Sequence, residues 1–116
     1  MDNGCIFCRI IAGHIPSKII FSDEFVTVFE DIEPVAPIHY LIVPNKHIES
    51  LNQIEEEDHA LLGHLFFIAK NLAKSTGIEQ GGYRVMVNTG KDGRQTVFHL
   101  HMHLIGGRTL AGRIVS

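Results

Sequence analysis

Hydrophobic positions along the chain switch between short stretches of period two and one long stretch of helical period. Ile6, Phe7, Ile10 and Ile11 stand at helical spacing, which predicts a short helix over residues 5 to 12 closed by Gly13. Lys18 to Ser22 and Phe25 to Glu30 read as two strands of a hairpin around the turn-forming pair Asp23-Glu24. A proline-stiffened connection over residues 31 to 37 leads to a third strand, His39 to Pro44. One long helix is predicted over residues 55 to 75. Its acidic opening Glu55-Glu56-Glu57-Asp58 and its later Lys70 and Lys74 suit the helix dipole, Ser50 or Asn52 can cap it, and Gly77 ends it. Leu61, Leu62, Leu65, Phe66, Ala69, Leu72 and Ala73 form its core-facing stripe. A second stripe of Ala60, His64, Phe67 and Asn71 is half apolar and suits either the same core or another subunit.

Arg84 to Asn88 reads as a further strand, Thr89 to Gln95 as a glycine-rich turn, and His99 to Ile105 as the last strand. Two strands joined by so short a loop are expected to be antiparallel neighbours, which brings Asn88 and the loop from Gly90 to Thr96 beside the last strand. That strand alternates His99, His101 and His103 with Leu100, Met102 and Leu104. In an extended chain the three imidazoles line one face, about 7 Å apart, and the aliphatic residues line the other. One face is core and the other is chemistry, because an imidazole near neutrality can be nucleophile, proton donor or metal ligand. Stacked imidazoles also resist being charged together, which keeps at least one neutral. Thr109 to Ser116 carries no clear element.

Composition narrows the class. At 116 residues, 45% hydrophobic and 20% charged with a net charge of −3, the chain is expected to form one globular domain over residues 1 to 116. No basic excess points to nucleic acid. The longest apolar run is interrupted by His64 and Lys70, well short of a membrane span, and Met1-Asp2-Asn3-Gly4 has no leader pattern. A cytoplasmic location and no membrane partner are the expectation. Cys5 and Cys8 are the two cysteines, and their spacing suits a metal or redox pair. With no strand before them, half of a zinc site is favoured over a thioredoxin-like motif, while two thiols that bind nothing also fit the pattern.

The run His99 to Ile105 meets a His-φ-His-φ-His-φ-φ signature, and Gly106-Gly107-Arg108 follows it. Ile15-Pro16, Phe29-Glu30-Asp31-Ile32, Pro37-Ile38-His39, Val43-Pro44, Lys46-His47-Ile48 and Val87-Asn88-Thr89-Gly90 extend the likeness over nearly the whole length. On these motifs the chain resembles the histidine-triad (HIT) superfamily, its Hint-like branch in particular. The resemblance implies an α+β fold, a roughly five-stranded antiparallel sheet with one long and one short helix, and a homodimer. It also implies hydrolysis of purine nucleoside phosphoramidates at the α-phosphate through a nucleotidyl-histidine, on conjugates of AMP or GMP, with no cofactor for catalysis.

Carried over by resemblance, His101 is the nucleophile, His39 and His103 handle protons near the leaving group, and His99 orients the neighbouring ring. Asp31 accepts hydrogen bonds from the ribose hydroxyls, and Phe7, Phe29 and Ile32 form the slot for the base. Asn88, Arg94, Gln95 and Thr96 belong to the phosphate loop. Zinc-containing members of the superfamily imply a structural ion on Cys5, Cys8, His47 and His99. Three departures matter. The ending Thr109 to Ser116 differs from the Trp and Pro ending of animal Hint proteins, which in that group helps define leaving-group preference. Arg94 stands where a glycine is usual, adding positive charge that favours more anionic substrates. His103 stands where nucleotidyl transferases carry Gln, which favours hydrolysis. Two other readings compete: a zinc hydrolase with His99 and His101 among its metal ligands, and a non-catalytic nucleotide-binding or scaffold protein.

Overall fold

Strand pairing builds one antiparallel sheet in the order β1-β2-β3-β5-β4, from β1 Ile19–Ser22, β2 Val26–Glu30, β3 Ile38–Pro44, β4 Tyr83–Met86 and β5 Met102–Gly106. The short helix α1 spans Ile6–Ile11 and the long helix α2 spans His59–Thr76. The structure is a computed structural model and describes residues 4–111. The leader reading at residues 1 to 3 and the end of the unassigned tail, residues 112 to 116, lie outside the described residues. No helix among the described residues is long and apolar enough to cross a membrane.

Alternation does the sorting. Val26, Val28, Tyr40, Ile42, Met102 and Leu104 point to one face and pack against Leu65, Ile68, Ala69 and Ala73 of α2. Phe29, Leu41 and Val43 point to the other and pack against Phe7 of α1. His39 and His103 share that second face, because Phe29 pairs with Leu41, Leu41 with His103, and His39 with Ile105 across the register. The β1–β2 hairpin is closed by Asp23, whose Oδ1 accepts the Phe25 and Val26 N–H groups, both at 2.8 Å. Strands β4 and β5 are antiparallel neighbours as expected, with Met86 opposite His103.

Four expectations change on folding. Ser50 caps a separate 3₁₀ turn, Leu51–Gln53, by accepting the Asn52 N–H. The long helix is entered instead through a second turn, Glu56–Asp58, where Asp58 accepts the Glu55 N–H at 2.9 Å and holds Lys46 at 2.6 Å. Phe66 is 61% exposed, not core. It sits about 100° round the helix from Leu65, and the buried stripe continues through Ile68 and Ala69 instead. Strand β4 pairs over Tyr83–Met86 rather than as far as Asn88. The last strand pairs only from Met102, because the Leu100 N–H turns away to the Ile48 carbonyl at 2.6 Å. His99 therefore leaves the line of its two neighbours.

Leu104 is fully buried between the sheet and α2. Leu104→Ala is expected to lower unfolding free energy by about 2–5 kcal/mol, read from the urea midpoint at constant m-value.

Candidate active site

A cavity of about 360 Å³ opens on the second face of the sheet. Its floor carries Phe29, Leu41, His101 and His103 from three adjacent strands or their ends. One wall comes from Ile6, Phe7 and Ile10 of α1, another from Asp31 and Ile32, and a third from Asn88, Arg94, Thr96 and Val97. Of the residues expected at the site, His101, His103, Asp31, Phe7, Phe29, Ile32, Asn88, Arg94 and Thr96 all line this cavity. Ile32 is 89% exposed, so it stands at the rim, whereas Phe7 and Phe29 are buried and edge-packed at 5.3 Å.

Backbone groups fix the sense of the histidine hydrogen bonds, since an amide only donates and a carbonyl only accepts. His101 Nδ1 lies 2.7 Å from the His99 carbonyl and must donate to it. Neutral His101 therefore keeps its lone pair on Nε2. The Val35 N–H donates to His39 Nδ1 at 3.2 Å, so neutral His39 carries its proton on Nε2. That N–H faces His103 Nδ1 at 2.9 Å and the Asp31 carboxylate at 3.3 Å. With its Nδ1 accepting, neutral His103 carries its own proton on Nε2. One ring on the cavity floor thus offers a lone pair, and the next offers a proton.

Burial keeps these rings neutral. It depresses the pKa of His103 to about 4, with the His101 and His39 rings adding to the effect and Asp31 opposing it. His101 and His39 are depressed in the same direction and for the same first cause, each opposed by the Asp31 charge. His101 touches Phe7 edge-on at 5.0 Å and His103 at 5.1 Å, which restrains the ring laterally.

His99 is fully buried and belongs to a different cluster. Its Nε2 donates to the Pro44 carbonyl at 2.7 Å, leaving the Nδ1 lone pair 3.2 Å from Cys5 Sγ and 3.5 Å from Cys8 Sγ. His47 Nδ1 lies 3.4 Å from Cys8 Sγ, and the four ligand atoms of Cys5, Cys8, His47 and His99 all fall within 4.8 Å of one another. Two thiols and two imidazole nitrogens so grouped fit a tetrahedral Cys2His2 zinc ion. Burial holds the His99 pKa down to about 4, which keeps the ring in its ligating form. Asp31, His39 and His103 form the other such group among the described residues, and His101 belongs to neither. His99 and His101 thus share no such group among the described residues.

Of the expected nucleotide-binding residues Gln95 alone does not line the cavity. Of the expected catalytic histidines His39 stands behind His103 and His99 lies in the cysteine cluster, neither of them on the cavity wall. Gln95 Oε1 accepts the Gly90 N–H at 2.9 Å, and its Nε2 donates to the Glu49 and Val97 carbonyls at 2.8 and 3.0 Å. Both ends of its amide brace the loop that carries Thr96. Ser17, Leu41 and Val97 line the cavity without having been singled out in the sequence. Leu41 was legible in principle, because it alternates in phase with His39. Ser17 and Val97 reach the cavity through loop paths that no periodicity encodes. A larger hollow of about 610 Å³ lies near Phe25, Lys46 and His64, away from the triad.

A family model described as scavenger mRNA decapping enzyme C-term binding matches residues 4–112. An uncharacterized HIT-like protein of Buchnera aphidicola subsp. Baizongia pistaciae is 50% identical over 105 residues, covering 90% of this chain and 94% of that one. A histidine triad protein from Clostridium difficile superposes with TM-score 0.90 at 42% identity, covering 93% of this chain and 94% of that one. A HIT family hydrolase from Legionella pneumophila Philadelphia 1 gives TM-score 0.92 at 41% identity, with coverages of 95% and 98%. A histidine triad nucleotide-binding protein from Candida albicans gives 0.80 at 30%, with coverages of 97% and 85%.

Rings whose pKa falls on folding make stability depend on pH. Between the unfolded value of 6.5 and the folded value of about 4, unfolding takes up a proton at His103, so its stabilisation is complete above this window and is lost as pH falls through it. The urea midpoint is expected to drop between pH 7 and pH 5, and His103→Gln to flatten that drop.

Proposed function

The chain belongs to the histidine-triad superfamily, and from that premise we propose that it is a nucleotide hydrolase that cleaves the P–N bond of purine nucleoside phosphoramidates. The observation that carries the reading is the fixed tautomer of His101, whose Nδ1–H is held by the His99 carbonyl at 2.7 Å on the cavity floor. This leaves Nε2 as an uncharged nucleophile at neutral pH. Phe7, Phe29 and Ile32 provide an apolar slot for the base, and Asp31 a charged acceptor for ribose hydroxyls. Asn88 and Thr96 stand on the wall where a phosphoryl group would lie.

In the reaction His101 Nε2 attacks the α-phosphorus and the bond to the leaving nitrogen breaks. That nitrogen needs a proton. The His39–His103 pair, 2.9 Å apart, supplies it from His103 Nε2 after taking up one extra proton, whose charge is offset by Asp31 and by the bound phosphate. Water then attacks the phosphorus of nucleotidyl-His101, the bond from phosphorus to His101 Nε2 breaks, and the proton lost by the water passes to the pair. This releases the nucleoside monophosphate and leaves His101 neutral and the pair again carrying its extra proton. Every proton given in the first half is recovered in the second.

Cys5, Cys8, His47 and His99 would hold a zinc ion, which supplies structural cross-linking of α1 to the sheet and no reactive group. The fit of the four donors supports that assignment. A homodimer is part of the same reading, supported by the adjacent exposed Phe66 and Phe67 on α2 and by Tyr83 on the open edge strand β4. Light scattering on the purified chain tests it.

The chemistry is tested with adenosine 5′-phosphoramidate. Wild type is expected to turn it over and to show a transient mass increase of one adenylyl group, while His101→Gly loses roughly 10³-fold or more in kcat/KM and shows no adduct. An unmodified wild type with no turnover would remove the proposal. For the metal, elemental analysis is expected to find zinc in the purified protein, and Cys8→Ser to lower both its zinc content and its Tm.

A further inference from the structure

Arg94 is the one non-glycine residue with positive φ among the described residues, at +67°. A side chain is disfavoured in that left-handed conformation, where glycine is at ease. The loop leaves it no alternative. A Cβ at the preceding Gly93 would come within 2.4 Å of the Thr89 carbonyl oxygen, so the turn is tight. The Arg94 N–H donates to the Lys91 carbonyl, and the next residue is anchored on both sides by Gln95 bonding to Gly90. An arginine is therefore held in a strained place by a braced loop, on the wall of the cavity whose floor carries His101 and His103.

Its charge is unanswered there. Glu30 and Asp31 are the carboxylates of the same cavity; Glu30 pairs with Lys18 at 3.6 Å, and Asp31 faces the Nε2–H of neutral His39 at 3.3 Å. No ion pair or side-chain hydrogen bond is made by the Arg94 guanidinium among the described residues. An exposed cation on the wall of a recess where nucleotide phosphate would lie, bonded to no carboxylate of that recess, is free to take its partner from the ligand.

We propose that Arg94 selects nucleotides bearing a second anionic group beyond the α-phosphate, a phosphoryl or carboxylate group on the leaving side of the bond that is cut. This rests on the nucleotide-hydrolase reading and narrows its substrates to conjugates with an acidic leaving group. Unlike backbone donors, which grip any phosphate, a guanidinium forms paired hydrogen bonds with a further planar or tetrahedral anion.

Isothermal titration at low salt with AMP and ADP, on wild type and on Arg94→Gly, tests the inference. Wild type is expected to bind ADP about five- to tenfold more tightly than AMP, the scale of one partly exposed charge contact. Arg94→Gly is expected to bring the two affinities together, and its Tm to equal or exceed that of wild type because glycine accepts the backbone angle. The same comparison between adenylyl conjugates of aspartate and of alaninamide reports a carboxylate in place of the phosphate. An unchanged ADP to AMP ratio in Arg94→Gly overturns the inference, as does an equal loss for both ligands, which would place the charge on the α-phosphate. If wild type binds neither nucleotide, the nucleotide-hydrolase reading itself falls, an outcome distinct from a lost preference.

Discussion

The hydrogen bond from His101 Nδ1 to the His99 carbonyl is the constraint on which the site turns. A free imidazole exchanges its proton between two nitrogens and spins about its side-chain bonds, so only a fraction of its conformers present a lone pair in one direction. A carbonyl two residues earlier on the same strand removes that freedom, because it accepts and never donates. The edge of Phe7 closes off sideways motion. What remains is a ring with one available nitrogen, which burial keeps uncharged.

Everything that supports this bond also shapes the cavity. The backbone of His99 can present its carbonyl because its side chain is tied down elsewhere, to the Pro44 carbonyl on one nitrogen and toward the two cysteines on the other. Between those cysteines stands Phe7, which touches the rings of His99, His101 and Phe29. The four-donor cluster and the cavity wall are thus one continuous piece of packing. A second chain of bonds, Val35 to His39 to His103, sets the other ring in the opposite tautomer. Two neighbouring imidazoles with the same intrinsic chemistry are given complementary roles by what lies behind each of them.

Much of this architecture was legible in the sequence, and for identifiable reasons. The last strand shows its two faces in its period, so Leu100, Met102 and Leu104 declare themselves as core. Strands β2 and β3, by contrast, are buried on both faces, and their near-continuous apolar runs do not say which side meets the helix. The helix stripe over Leu65, Ala69 and Ala73 declares itself as the last strand does, although its neighbour Phe66 is as apolar as they are and lies in the open. Hydrophobicity marks what can be buried, and the rotation of the helix against the sheet decides what is. Ser50 misleads in a similar way: it is a good capping residue beside the long helix, yet it caps the turn that precedes it.

By itself, the sequence determined the two faces of the last strand and the pairing of β4 with β5, and it marked which residue types could carry chemistry, because period and residue type are local properties of the chain. It carried the family likeness through motifs spread over most of the length. Only the tertiary structure decided that His99 leaves the triad line to meet Cys5, Cys8 and His47, that Gln95 spends its amide on the loop rather than in the cavity, and which nitrogen of each ring holds the proton. Those outcomes depend on which backbone donor or acceptor, often from a distant segment, arrives within about 3 Å of a side-chain atom. That distance is set by how the layers pack, and no pattern along a single chain encodes it.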